Sequence, residues 1–356
     1  MKEQILNVVQ KLHQISRKIW FSNNYRHRKK KLREAGIKVK RLSSVQKQQI
    51  RKLWGKNADC KTHELIYSIT GNFNPYYCSQ MLFGSKLEFC MNDDTYKTAW
   101  SDKNFFNLHF PEVRFPSTLV RNIYGEFYDC NYNLISLEKA VSIISAYEKV
   151  VIKPSLDSGM GKGVKLVTVD DKIHDIIKSY KKDFIIQEVL EQHKDIKAFN
   201  PSSVNVIRLN SLFLNGKVSY LSASLRIGAE GAFNDNSITK DGKGMVVVGI
   251  KDDGYLKDFG FYSCGEKVEI SRTGIKFSEC KIPNFEKAKE LALKMHSKMP
   301  FAKYVGFDVA FDLNGDPIIM EYNINAPGVF YYQLVNGPLF AHKTEDVIKT
   351  FLSKEH

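Results

Sequence analysis

The segment from Gly306 to Asn323 constrains this chain more than any other. Two runs with alternating apolar and polar residues flank Asn314-Gly315, a strong signal for a tight hairpin. With Asn314-Gly315 as a two-residue turn, Leu313 pairs with Asp316 and, counting outward, Asp308 pairs with Glu321. Strand side chains alternate, so Asp308, Glu321 and Asn323 share one face. Val309, Phe311, Ile318 and Met320 take the other, the expected core face. Two carboxylates directly opposite on a sheet repel each other. A divalent cation removes that penalty, and two carboxylates with an amide oxygen are hard ligands suited to Mg²⁺. An ordinary exposed hairpin with an acidic face is the plain alternative.

A second segment supports the cation. From Val150 an apolar strand ends in Lys153; a small, glycine-rich turn follows (Ser158, Gly159, Gly161, Lys162, Gly163), and then another strand. Glycines let backbone N–H groups converge on one concavity, and a nearby ammonium adds charge, which together suit a polyphosphate. Known phosphate loops do not fit the spacing. Lys162 is followed by Gly163 and a strand, which excludes a Walker A loop. The dinucleotide fingerprint needs a helix there, and protein kinases place the glycines before the lysine. A hairpin flap over a nucleotide remains, beside the bland reading of a flexible turn. Further on, Phe184 to Leu190 reads as a strand leaving the interior, with Gln187-Glu188 at its end.

Elsewhere the pattern is one of short strands and helices. Helices are expected at 137–147, 171–180 and 285–299, and strands at 113–119, 149–153, 165–169 and 183–190. Two or three strands are expected over 204–227, with a turn at Asn215-Gly216. This is a mixed α+β pattern without regular β-α alternation. Residues 61–110 carry no clear periodicity.

The order lysine strand, glycine flap, Gln-Glu hinge, aspartate and Glu-x-Asn hairpin resembles the ATP-grasp superfamily over roughly residues 100–335. Ser203 to Arg208, Leu225 to Gly228 and Val305 to Ala310 are similar, more closely, to its sugar-transfer-associated branch, which is linked to surface-polysaccharide biosynthesis. The resemblance implies two α+β subdomains gripping ATP, with a basic helical N-terminal extension. It implies a nucleotide-gripping subdomain at 112–190 and a metal- and substrate-binding subdomain at 191–356, with 61–111 unplaced. Lys103 (in Asp102-Lys103) and Lys153 would grip phosphates under the flap formed by Ser158, Gly159, Gly161, Lys162 and Gly163. Gln187, Glu188 and Leu190 would meet adenine, with Asp195 at the ribose. Asp308, Glu321 and Asn323 would hold Mg²⁺, two ions by the family pattern, with Mn²⁺ as a substitute. Arg208 would stabilise the transferred phosphoryl group, with Lys153 as its catalytic companion. Arg226 and Asn325 would face substrate. The implied reaction joins a carboxylate to an amine through an acyl phosphate. A kinase acting on a hydroxyl, or a nucleotide-binding scaffold without turnover, are the alternatives.

The charge is unevenly placed. Residues 1–60 hold seventeen Lys/Arg and three acids, which accounts for the whole formal charge of +14 and leaves 36 of each sign in 61–356. Ile5, Val8, Val9, Leu12, Ile15 and Ile19 recur at helical spacing, a basic stretch runs from Arg26 to Arg41, and a further helix is expected from Ser44, as its cap, to Trp54. Nucleic acid is not expected, because no recognition motif accompanies the charge. An anionic membrane surface reached through residues 1–41, or docking of the apolar stripe on the protein's own body or a partner chain, remain. The partition of charge makes the arm a separable segment, whose removal would alter location or assembly more than ATP chemistry. Six scattered cysteines without C-x-x-C fit reduced thiols, no apolar run suits a membrane span, and a cytoplasmic protein, at most peripheral at the inner membrane face, is expected.

Overall fold

The computed structural model describes residues 2–55, 58–156, 161–168, 171–229, 231 and 243–352. Ser158 and Gly159 of the expected flap lie outside these residues. Helix α1 (Lys2–Glu34) runs for 33 residues, about 50 Å at 1.5 Å per residue. It takes in most of the basic stretch, since no proline or glycine interrupts it. It ends where Gly36 adopts φ +74, with Gly36 N–H donating to Arg33 O and Ile37 N–H to Leu32 O, the paired bonds of a Schellman stop. Helix α2 (Ser44–Trp54) is capped by Ser43 instead of Ser44. Gln46 stands three residues after Ser43 and returns a side-chain bond to its N–H; Lys47, three after Ser44, has no acceptor to return. Helix α3 (Lys61–Thr70) opens the region without clear periodicity, which is helical through to His109 in short pieces.

Two antiparallel sheets follow. The first contains β1 (Thr118–Ile123), β2 (Glu126–Tyr128), β3 (Leu134–Ile135), β4 (Lys149–Pro154), β5 (Lys165–Thr168) and β6 (Phe184–Glu188), in the order β3-β2-β1-β6-β4-β5. Helices Leu137–Ile144 and Ile173–Tyr180 cover one face, burying Val150, Ile152, Phe184 and Ile186. Alternation puts Lys153 and Gln187 on the other face. The expected strand at 113–119 begins only at Thr118.

The second sheet contains β7 (Val206–Leu214), β8 (Lys217–Ile227), β9 (Val246–Ile250), β10 (Leu256–Tyr262), β11 (Lys267–Val268), β12 (Tyr304–Phe311) and β13 (Pro317–Asn323), in the order β11-β10-β9-β8-β7-β12-β13. Helix Phe285–Ser297 covers one face, where Ile207, Leu209, Leu225, Val305, Phe307 and Val309 form the largest core. The opposite face meets the N-terminal helices. Leu212 and Tyr304 pack with Phe83 and Leu87, and Val247 and Phe261 pack with Leu32 and Leu65. Arg208, Arg226, Asp308 and Glu321 emerge on this second face, so helices within residues 1–91 wall the same side as the charged cluster.

The terminal hairpin reaches its expected pairing by an unexpected route. Asp312 closes the turn on Asp316, and its carboxylate accepts from the Asn314 and Asp316 N–H groups, an Asx turn that widens the loop to three residues. The register is therefore offset by one from Phe311↔Pro317 to Val309↔Ile319. A bulge then restores Asp308↔Glu321. The offset moves the apolar set as well: Ile319, in place of Ile318 and Met320, joins Val309 and Phe311 in the core.

Candidate active site

Asp308 sits on β12, beside the edge strand β13, on the sheet face that the N-terminal helices wall. Arg208, its direct neighbour across β7, donates from Nε to Oδ1 at 2.6 Å and from Nη2 to Oδ2 at 2.9 Å. Arg226 Nη1 lies 3.6 Å from Oδ1, and Asn323 Nδ2 donates to Oδ2 at 3.2 Å. Burial alone would raise the Asp308 carboxyl, but the two guanidinium groups and their hydrogen bonds more than offset it and hold the group below its usual range. Glu321 takes Lys103 Nζ at 2.9 Å. The repulsion expected between the two opposite carboxylates is thus met by arginine on one and lysine on the other.

Lys103 arrives from outside both sheets. Asp102 caps the short turn Lys103–Phe105 by accepting from Asn104 N–H, and Lys103 N–H donates to Ser155 O at the end of β4. Lys153 lies near both Lys103 and Glu321. Loss of hydration, with the positive charge of Lys103, brings its pKa down to about 8, and Glu321 pulls the other way. The structure therefore brings together Lys103, Lys153, Arg208, Arg226, Asp308, Glu321 and Asn323.

The flap is described only from Gly161. Gly161 and Gly163 hold φ of +70 and +76, backbone open to glycine at little cost, and Lys162 between them is exposed. Gln187 is buried, its amide donating to Pro116 O and Thr118 Oγ1. Glu188 and Leu190 line a cavity of about 590 Å³ that also takes in Phe115, Tyr147 and Ile318. The charged cluster is not part of its wall. Asp195 is exposed beside His193, 3.7 Å away, near the hairpin tip at Gly315. Asn325 Oδ1 accepts from Arg17 Nη2 at 3.2 Å, so this residue is tied to α1.

Asp308, Glu321 and Asn323 carry the hard oxygens that Mg²⁺ takes, but here both Asp308 oxygens accept from Arg208 and Asn323, and Glu321 is paired with Lys103. Among the described residues no group of three or more His, Cys, Asp or Glu is placed to hold a metal ion.

Several residues escape the sequence reading. Arg121, fully buried, donates to Asn104 O and Asn107 Oδ1 and so holds the Lys103 turn. Ser155 and Ser224 are buried, with hydroxyls that lack a partner among the described residues. Glu88 and Arg17 join the site from the helical region, and no spacing links either to the hairpin.

Residues 176–349, just under half of the chain, match the family model of the sugar-transfer associated ATP-grasp proteins. The resemblance drawn from the motifs is upheld over that segment, and the fold is α+β with a helical N-terminal region. No curated protein matches the chain. Among solved structures it is similar to the ATP-grasp ligase PsnB complexed with its minimal precursor, at 15% identity and TM-score 0.40 over 73% of this chain and 64% of that one. It is also similar to the D-alanine–D-alanine ligase of Bacillus anthracis, at 13% and 0.40 over 71% and 66%. The third is the VanG D-Ala:D-Ser ligase of Enterococcus faecalis, at 12% and 0.42 over 75% and 63%. The chain spans less than two thirds of the length of each. No described helix is long and apolar enough to cross a membrane.

Proposed function

We propose that the chain is an ATP- and Mg²⁺-dependent carboxylate–amine ligase that works through an acyl phosphate. Its amide product would be a surface polysaccharide or a precursor of one. The observation that carries this reading is the convergence of Lys103 and Lys153 on Glu321, directly opposite Asp308 with its two arginines. Two ammonium groups beside two carboxylates make a site for phosphate oxygens and a divalent ion at once.

In this reading Lys103 and Lys153 neutralise phosphate oxygens, and Asp308, Glu321 and Asn323 hold the metal. Mg²⁺, or Mn²⁺ in its place, withdraws charge from the transferred phosphoryl group when bound. A substrate carboxylate oxygen attacks the γ-phosphorus, the bond to ADP breaks, and an acyl phosphate forms. An amine then adds to the acyl carbon, phosphate leaves, and the amine proton passes to solvent. Arg208 stabilises charge on the phosphoryl and acyl phosphate oxygens, and Arg226 with Asn325 orients substrate. Gln187, Glu188 and Leu190 border adenine, with Asp195 toward the ribose. Positioning and charge neutralisation supply the rate, so no nucleophilic side chain is required. An ADP-release screen of acids and amines, with mass spectrometry of the product, tests this. Free phosphate and an amide are expected; a stable phosphorylated product would make the enzyme a kinase. Glu321→Ala should abolish ADP release in a folded protein, and undiminished turnover would sink the metal assignment.

We also assign the outward face of α1 to an anionic bilayer. Val8, Leu12, Ile15 and Ile19 are 51–61% exposed on that face, and Arg26, Lys30 and Arg33 continue the same row, so apolar insertion and charge attraction act side by side. Sedimentation with vesicles of phosphatidylserine, lost with phosphatidylcholine alone and in Leu12→Glu/Ile19→Glu, is expected. Concentration-dependent dimerisation without vesicle binding would assign the face to a second copy.

A further inference from the structure

The face of α1 opposite its apolar row is built into the body. Phe21 lies over Gly84, where a Cβ would meet its ring at 2.2 Å, and Leu32 lies over Gly265, where a Cβ would meet its Cδ2 at 2.4 Å. Both glycines make room for this helix. Gly84 belongs to a π-turn, Phe83–Leu87, a form of helix that widens the backbone and recurs at functional sites. Arg17 enters beside it. Its Nη1 donates to Gly84 O at 2.8 Å and to Glu88 Oε2 at 2.7 Å, and its Nη2 donates to Asn325 Oδ1 at 3.2 Å.

Glu88 is 1% exposed. Its second oxygen, Oε1, accepts from the Ala326 N–H at 2.7 Å and lies 3.8 Å from Lys97 Nζ. Ala326 has φ +48, a left-handed backbone that costs a residue bearing a Cβ, and it precedes a proline, which restricts it further. Such a conformation persists only where its surroundings impose it. The next residue, Pro327, accepts from Arg208 Nη1 at 2.7 Å through its carbonyl. Arg208 in turn holds Asp308. A continuous chain of contacts thus runs from α1 through Glu88 and the Asn325–Pro327 loop to the guanidinium and carboxylate of the site.

We propose that Arg17 and Glu88 are positioning residues for the active site, locking the Asn325–Pro327 loop so that Asn325 and Arg208 face substrate and the transferred phosphoryl group in one geometry. This deepens the ligase reading and rests on it for the meaning of that geometry. The N-terminal helix is then a working part of the site, and a segment that removes α1 removes a support of Arg208. Arg17 acts through Glu88 and Asn325, and Glu88 through Ala326.

The test uses the full chain and two independent readouts. Hydrogen exchange of peptides covering 324–329 reports the lock without ligand, because the Ala326 N–H is bonded to a buried carboxylate. Exchange there should rise at least tenfold in Glu88→Gln and in the milder Arg17→Ala, with peptides of β7 and β12 unchanged. Unchanged exchange at 324–329 in both variants would overturn the proposal. Titration with Mg·ATP supplies the second readout. Glu88→Gln should weaken binding about tenfold, and Ala326→Gly, which relaxes the left-handed position, should bring Glu88→Gln back to within threefold of the parent. A purely structural role would give additive losses with no such rescue. Wild-type protein that binds no Mg·ATP would sink the nucleotide reading, while the exchange result decides the lock on its own.

Discussion

Asp308→Asn isolates the electrostatic centre of the molecule. The side chains of Asp308 and Arg208 are 12% and 5% exposed, so little water screens their paired bonds of 2.6 and 2.9 Å. Two unit charges about 4 Å apart at an effective dielectric constant of about 20 interact by roughly 4 kcal/mol. An asparagine keeps one acceptor but turns its NH₂ toward the other guanidinium N–H. Arg226, 3.6 Å from the same carboxylate, loses that attraction as well. Breaking a buried pair on one side costs about 3–5 kcal/mol, and that is the loss expected here. Glu321→Gln is the matched control. Its side chain is 33% exposed, solvent screens its bridge to Lys103, and a cost of about 1 kcal/mol or less is expected. Urea unfolding at neutral pH without Mg²⁺ measures both, with equal m-values as the condition for comparing them. The sign of the pH dependence adds a check. Asp308 titrates below the usual carboxylate range when folded, so its stabilisation is present above that range and fades as pH falls through the folded pKa. Asp308→Asn should lack that acid limb. A loss equal to that of Glu321→Gln, or an unchanged acid limb, would refute the reasoning.

Three further outcomes are expected. Lys153, brought down to about 8, should lose its proton in the free protein as pH rises through that value, so nucleotide affinity should decline above pH 8; in Lys153→Arg, titration calorimetry should show that limb abolished. Gly84→Leu should displace Phe21 and lift α1, and limited proteolysis should then cut within residues 1–41 faster than in the parent; equal cutting would show that α1 is not seated there. Ser43→Ala removes the reciprocal cap of α2 and should cost about 1 kcal/mol, measured by urea unfolding beside Ser44→Ala, which should be near neutral.

The residues that carry chemistry were legible because their chemistry is local. Lys153 before a glycine turn, and Asp308 opposite Glu321 across an Asn-Gly turn, need only strand alternation to be placed on faces. Even there the sequence concealed how the pairing is reached: the Asx turn at Asp312 and the bulge before Glu321 cancel, so the right pair follows from a turn one residue too short. Ile319 took the core position expected of its neighbours for the same reason. The α1 stripe was legible as a stripe, yet the helix seats by its other face, through Arg17, Phe21 and Leu32. Side-chain hydropathy favours burying Leu12 and Ile19, but the pockets that exist, over Gly84 and Gly265, accept different residues.

By itself, then, the sequence determined the α+β class, the lysine strand, the acidic hairpin and the concentration of charge in the first sixty residues. Each follows from periodicity, turn chemistry or counting within a few tens of residues. Only the tertiary structure decided that Arg208 and Arg226, beside Lys103, neutralise the two carboxylates. It alone decided that residues 61–91 wall the same face of the sheet, and that Glu88 joins Arg17 to Ala326 across 71 and 238 positions of sequence. Contacts over such separations leave no period to read. They exist because a buried charge must find its partner wherever the packed chain brings one.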